Sequence, residues 1–234
     1  MKYAFALLVV CAFVLGCTTT EKITAEEIVE KMKEKYDSIA DYKASIFLKE
    51  IADGRAISAE GELMFKKPDK FKICFSNYSS CMAFNGKETW IYNKTRKEAF
   101  VFPGNRTDRK GLVIEYGSLL DNLPEYNISI AGKDTVNGRD CYLLEFEPKK
   151  KNMMQIRRIW VDSKEWYVLR TEIVIKPDKT FRELNPSLPE NTTVIFEYKQ
   201  VDFDANIGDD EFELKLPGDV NLTVYNFTRY SLAN

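Results

Sequence analysis

Cysteine is the residue type in this chain with the most chemistry open to it, at Cys11, Cys17, Cys74, Cys81 and Cys141. A thiol can be acylated, oxidised to a disulfide, deprotonated to a nucleophile or bound to a metal. The sequence contains no histidine. That removes histidine general acid–base catalysis, Ser-His and Cys-His nucleophiles, and imidazole metal ligands together. No Gly-X-Ser-X-Gly elbow, phosphate-cradling glycine loop, zinc spacing or Ser-X-X-Lys pair takes their place. Asp209, Asp210 and Glu211 lack the alternating ligand spacing of a calcium loop and read as the first turn of a short helix. The expectation is a protein that is not an enzyme, with no cofactor and no metal.

Cys17 follows an apolar run of twelve residues, Ala4 to Leu15, with Lys2 as the only charge before Glu21. The run has the length of a signal-peptide core and is short for a bilayer span. It ends in Val14-Leu15-Gly16-Cys17, followed by three threonines. The pattern resembles a lipobox, whose cysteine takes a diacylglycerol-type lipid and becomes the new N-terminus. Residues 1–16 are then the signal peptide and 17–23 a lipidated tether. The protein is expected on the outer face of the cytoplasmic membrane, at the cell surface or in the envelope. The competing reading is an uncleaved anchor with Cys17 as a bystander.

Outside the membrane a disulfide is permitted. Cys74 and Cys81 flank the polar stretch Ser76 to Ser80, which reads as a hairpin turn, so the two can pair. Buried thiols at Cys74, Cys81 and Cys141 are the alternative. Seven of the asparagines, Asn77, Asn93, Asn105, Asn127, Asn191, Asn221 and Asn226, open an Asn-X-Ser/Thr sequon and are candidates for N-glycosylation. Strand-and-turn sequences can also place threonine after asparagine for structural reasons alone.

A net charge of −2 gives no reason to expect nucleic acid, and 44% hydrophobic residues are ample for a core. Lys149-Lys150-Lys151 and Arg157-Arg158 could touch anionic head groups, but basic runs at a turn are usually solvated. Thr24 with Glu27 forms a capping box, and Ile28, Met32, Tyr36 and Ile39 follow at helical spacing. The period then switches to two. Tyr42, Ala44, Ile46 and Leu48 lead into the turn Asp53-Gly54, and Ile57, Ala59, Gly61, Leu63 and Phe65 alternate after it. Phe71, Ile73 and Phe75 follow Pro68-Asp69, and Asn85-Gly86 and Asn137-Gly138 mark further hairpins. Leu112, Tyr116, Leu119, Leu120 and Leu123 recur at helical spacing before Pro124 and predict a second helix. The tally is about eleven strands and two helices with no linker between them. The fold class is mainly β with helices (α+β), a single curved antiparallel sheet with helices on its concave side.

Several segments together resemble the lipoprotein-carrier superfamily typified by LolA and LolB, and are similar also to the N-terminal domain of RseB-type regulators. They are Asp41-Tyr42-Lys43-Ala44, the run Gly61-Glu62-Leu63-Met64-Phe65-Lys66-Lys67-Pro68-Asp69-Lys70-Phe71-Lys72, and Asn85-Gly86-Lys87-Glu88-Thr89-Trp90-Ile91-Tyr92. Ile159-Trp160-Val161-Asp162, and Ile207-Gly208-Asp209-Asp210-Glu211-Phe212 with Pro217-Gly218, complete the set. The resemblance implies a LolA-like domain over residues 24–234, folded as an unclosed half β-barrel. Its concave apolar face would hold a lipid, an acyl chain or a lipidated polypeptide. Candidate lining residues are Ile46, Leu48, Leu63, Phe65, Phe71, Ile73, Phe75, Trp90, Tyr92, Leu144, Phe146 and Leu169. Leu112, Tyr116, Leu119, Leu120 and Leu123 are candidates for a lid. A chain fixed to one membrane suits an acceptor or sensor better than a shuttle. Two other readings stand beside this one: a protein-interaction or stress-sensing module using the same surface, and a structural envelope lipoprotein with a filled core and no ligand.

Overall fold

The structure, a computed structural model, describes residues 23–225 except 77–78, 105–118, 122, 151–153, 178 and 185–186. Cys17, the sequon residues Asn77, Asn105 and Asn226, and Leu112 and Tyr116 of the expected lid lie outside the described residues.

Helix α1 (Ala25–Ser38) begins where the capping box predicts. The Thr24 hydroxyl accepts from the Glu27 amide, and the Glu27 carboxylate accepts from the Thr24 amide at 2.7 Å. Glu26 and Glu27 also place negative charge at the positive end of the helix dipole. At the other end Lys67 Nζ donates to the carbonyl oxygens of Tyr36 and Asp37, closing the C-terminus from a neighbouring turn. The buried stripe is Ala25, Ile28 and Met32.

Twelve strands make one sheet. They are β1 (Asp41–Ala52), β2 (Arg55–Lys66), β3 (Lys70–Phe75), β4 (Ser80–Phe84), β5 (Glu88–Asn93) and β6 (Glu98–Pro103). Then follow β7 (Tyr126–Val136), β8 (Arg139–Pro148), β9 (Met154–Asp162), β10 (Val168–Ile175), β11 (Thr192–Phe203) and β12 (Asn221–Val224). The spatial order is β12-β6-β5-β4-β3-β2-β1-β11-β10-β9-β8-β7, so among the described residues β12 and β7 are the edges and the sheet stays open. Asp53 and Gly54, and likewise Asn137 and Gly138, have positive φ at both turn positions. That is the geometry matching a two-residue hairpin to strand twist. Gly61 is required by close approach, since a Cβ there would overlap the Cys74 carbonyl oxygen.

One expectation of the sheet needs correction. The sheet is mixed, because β12 pairs with β6 in parallel. After β11 the chain crosses the outer surface from the middle of the sheet to its far edge, and this long return sets the direction of the last strand. Between β10 and β11 lies a short helix, α2 (Lys179–Leu184). Of the expected second helix, 119–121 is helical and a 3₁₀ turn follows at Leu123–Glu125.

The crossing segment is tied down on the outer face. The Ala40 amide donates to Asp204, the Ile207 amide to buried Asp41, and Lys66 and Lys70 both pair with Asp209. Asp209–Phe212 is a 3₁₀ turn that inserts Phe212, fully buried, against the sheet.

The main core lies on the opposite, concave face. Tyr36 of α1 sits 6.0 Å from Phe65, and Tyr42 5.3 Å from Phe65 (centroid to centroid). Lys35 and Lys31 of α1 lie over the rings of Phe203 and Trp166.

Candidate functional site

Directly paired residues of neighbouring strands share a face, so the ladder registers define the concave wall. One row runs Leu48–Phe196–Thr171–Ile159–Leu144–Ile130 across β1, β11, β10, β9, β8 and β7. Another runs Ala44–Leu63–Ile73–Met82–Ile91–Phe100 across β1 to β6. By the same registers Ile46, Phe65, Phe71, Phe75 and Phe146 stand on this face, and Leu169, passed over at the irregularity between Val168 and Arg170, belongs to the same buried core. Ten of the twelve lining candidates are thereby brought together.

Trp90 and Tyr92 are not among them. Ala83 pairs with Trp90 and Cys81 with Tyr92, which puts both aromatics on the convex face with Cys74 and Lys72. The four-residue connection between Phe84 and Thr89 decides this, because a strand's faces follow from loop length and register. Val101 and Ala99 pair beside them and are buried on that outer surface. Trp90 Nε1 is buried there and has no hydrogen-bond partner among the described residues.

Among the described residues the concave wall is covered in part by helix and not by a second sheet, and Ile91 and Ile130 towards its two ends are exposed. Ile28 and Met32 from α1, and Leu119 and Leu123 beyond it, join the same core as Leu63, Ile73 and Leu144. Leu120 packs against its margin. Residues absent from the sequence-based set are Phe196, Tyr198, Ile156 and Ile159, all buried on this wall. Their signal was present: Phe196 and Tyr198 alternate with Glu197 and Lys199.

Polar groups near the wall are neutral or compensated. Asp162 is buried; burial pushes its pKa up, but the hydrogen bond from Arg139 and the Glu165 and Lys164 amides outweigh this and hold it below the ordinary range. Burial raises the Cys141 thiol to about 11, so it is no nucleophile at neutral pH. Burial likewise raises Tyr126, whose hydroxyl accepts from the Ile156 amide at 2.9 Å. Cys74 and Cys81 are joined by a disulfide across β3 and β4. Of the sequon residues, Asn127, Asn191 and Asn221 are exposed, whereas Asn93 is half-buried with its Oδ1 accepting from the Arg96 amide. Among the described residues no group of three acidic or thiol side chains is arranged to hold a metal ion, and no helix is long and apolar enough to cross a membrane.

The site defined by this geometry is a partly helix-covered apolar wall on an open half-barrel. A family model described as an uncharacterized protein matches residues 82–191. An uncharacterized protein of Methanocaldococcus jannaschii is 26% identical over 222 residues, covering 93% of this chain. The chain spans 59% of that relative's length. Among solved structures, an uncharacterized conserved protein from Thermus thermophilus is similar, with a TM-score of 0.53 at 10% identity, covering 86% of this chain and 99% of that one. A LolA superfamily protein from Nitrosomonas europaea matches with a TM-score of 0.40 at 12% identity over 82% of this chain and 99% of that one. At 10% identity the likeness to the Thermus thermophilus protein is one of fold.

Proposed function

We propose that this chain is an exported, membrane-tethered binding protein whose concave wall accommodates a lipid, an acyl chain or a lipidated polypeptide. In this reading residues 1–16 are removed, Cys17 carries the lipid anchor, residues 17–23 form the tether, and residues 24–234 form the binding domain. The observation that carries it is the cover. Helical segments bearing Ile28, Met32, Leu119 and Leu123 cover the middle of the concave face, and helices can shift away from an open sheet more readily than a second hydrogen-bonded sheet can. Apolar burial of the ligand would supply about 25 cal/mol per Å² before ordering costs. The Cys74–Cys81 disulfide supports an oxidising compartment, in keeping with the apolar N-terminal run.

The test is organic extraction of the full-length protein purified from membranes, followed by mass spectrometry. A stoichiometric acyl-containing species is expected. An empty extract, together with no uptake of a photoactivatable fatty acid, overturns the reading.

One observation favours a second reading, with a polypeptide as partner. Among the described residues strand β12 is an edge whose Leu222 and Val224 are 50% and 56% exposed, with Tyr225 beyond them at 41%. Such an edge can accept an added strand. Crosslinking in membranes that captures one abundant protein through β12, with no lipid, would select this alternative.

A further inference from the structure

The ladder between β8 and β9 runs only from Cys141↔Asp162 to Glu145↔Arg158. Beyond that pair β8 continues through Phe146, Glu147 and Pro148, and β9 contributes Gln155, Ile156 and Arg157, with no further pairing between them. The Ile156 amide, which a continuing ladder would have used, is instead satisfied by the Tyr126 hydroxyl. The strands have separated, and a cavity of about 360 Å³ fills the split. Its wall includes Phe146 and Ile156, both members of the main core, beside Ser129, Glu145 and Val174 of the outer face, so the inner side of the split borders the concave interior. The volume falls within the range of about 300–1,000 Å³ that small-molecule sites occupy.

A second cavity of about 380 Å³ adjoins it along the outer surface and is lined by Arg158, Glu172, Asn191 and Thr193. Arg157, Val174 and Lys176 line both cavities and mark their junction. The charges around the junction are unequally engaged. Arg158 holds Glu145 at 3.0 Å, which uses both groups. Arg157 meets Glu172 only at 3.7 Å, and its side chain is 58% exposed. Lys176 makes no ion pair among the described residues. Arg157 and Lys176 are therefore the cations least engaged by carboxylates at a slot whose wall mixes Phe146, Ile156 and Val174 with Ser129, Gln155, Glu147 and the already paired Glu145.

The geometry points to a headgroup site: the β8–β9 split admits an amphiphile with an anionic head, its carboxylate or phosphate held by Arg157 and Lys176 and its apolar chain passing between Phe146 and Ile156 toward the concave wall. This deepens the proposed function and rests on it. A guanidinium offers a planar fork and an ammonium a point charge, a pairing suited to either oxyanion. Phe146, Ile156 and Val174 supply the apolar part of the wall against which the chain would lie. This arrangement also gives the ligand a defined direction, head at the sheet's outer surface and tail inward.

The experiment uses full-length protein taken from membranes into amphipol and three photoactivatable probes: palmitate, phosphatidic acid and an uncharged monoacylglycerol. Labelling is measured against probe concentration and located by peptide mass spectrometry, for wild type, for Arg157→Gln/Lys176→Gln, and for a charge-matched control, Lys33→Gln/Lys43→Gln. Loss of two charge-assisted hydrogen bonds is expected to weaken labelling by an anionic probe about tenfold or more. Monoacylglycerol labelling should be unchanged, and the control should behave as wild type. Whichever anionic probe suffers the larger loss identifies the oxyanion. Labelling of wild type that ignores the Arg157/Lys176 substitutions, or that falls equally for charged and uncharged probes, overturns the headgroup site alone. No labelling of wild type by any probe overturns the apolar-ligand reading with it.

Discussion

Replacing Phe65 by alanine probes the packing on which the concave wall depends. The side chain is 1% exposed, lies 5.3 Å from Tyr42 on the adjacent strand, and lies 6.0 Å from Tyr36 on α1. Truncating a buried phenylalanine removes its transfer free energy and leaves a cavity, together about 3–5 kcal/mol. For a chain of this size that loss lowers the melting temperature by roughly 6–20 °C. The part belonging to the helix–sheet contact follows from a double-mutant cycle with Tyr36→Ala, where an aromatic pair should couple by about 0.5–1.5 kcal/mol. Chemical denaturation of the four proteins supplies the numbers. As a reference, Ile57→Ala, at a residue 53% exposed, should change stability by less than about 0.5 kcal/mol. A loss below about 1 kcal/mol for Phe65→Ala, or no coupling to Tyr36, would refute the assignment of α1 as the cover of the concave face.

The remaining expectations concern the outer face and the cysteines. Hydrogen bonds from Lys66 and Lys70 hold Asp209 at about 2, below its ordinary 3.8. Because the folded value is the lower one, the latch contributes fully above about pH 4 and is lost as pH falls toward 2. Thermal midpoints recorded across that interval should drop for wild type and drop less for Asp209→Asn; identical pH profiles would refute the latch. Removing the crosslink with Cys74→Ala/Cys81→Ala should lower stability by about 2.5 kcal/mol, the loop-closure value for a bridge spanning seven residues, read as a shift in the denaturation midpoint. Cys141, 1% exposed with a pKa raised to about 11, should resist iodoacetamide at pH 8 until the protein unfolds. Peptide mapping that finds it alkylated in the native state at a free thiol's rate would contradict its burial.

Period, turn chemistry and capping are short-range, and those features were legible from residues alone. Thr24 and Glu27 announce the start of α1, and Asp53-Gly54 and Asn137-Gly138 announce two hairpins, because each motif is satisfied within a few residues. The alternation through β1, β2 and β3 placed seven lining candidates on one wall, from Ile46 to Phe75, and the pairings agree. The alternation in β5 was equally clear, yet it could not say which of its two faces is concave. Trp90 and Tyr92 are the larger and more aromatic set, but Ile91 is the residue that faces inward. Phase between strands depends on the length of the connection and on register, which no single strand contains.

What the sequence determined by itself is the local alphabet: an apolar N-terminal run followed by Gly16-Cys17, one capped helix, a long series of alternating strands, and the absence of histidine chemistry. Tertiary structure decided how those pieces meet. It carried the C-terminal segment over the outer face so that β12 joins β6 in parallel, buried Phe212 beneath it, and parted β8 from β9 beyond Glu145. Each of these depends on pairings between residues far apart in the chain, whose free energy arises only when both partners are already in place.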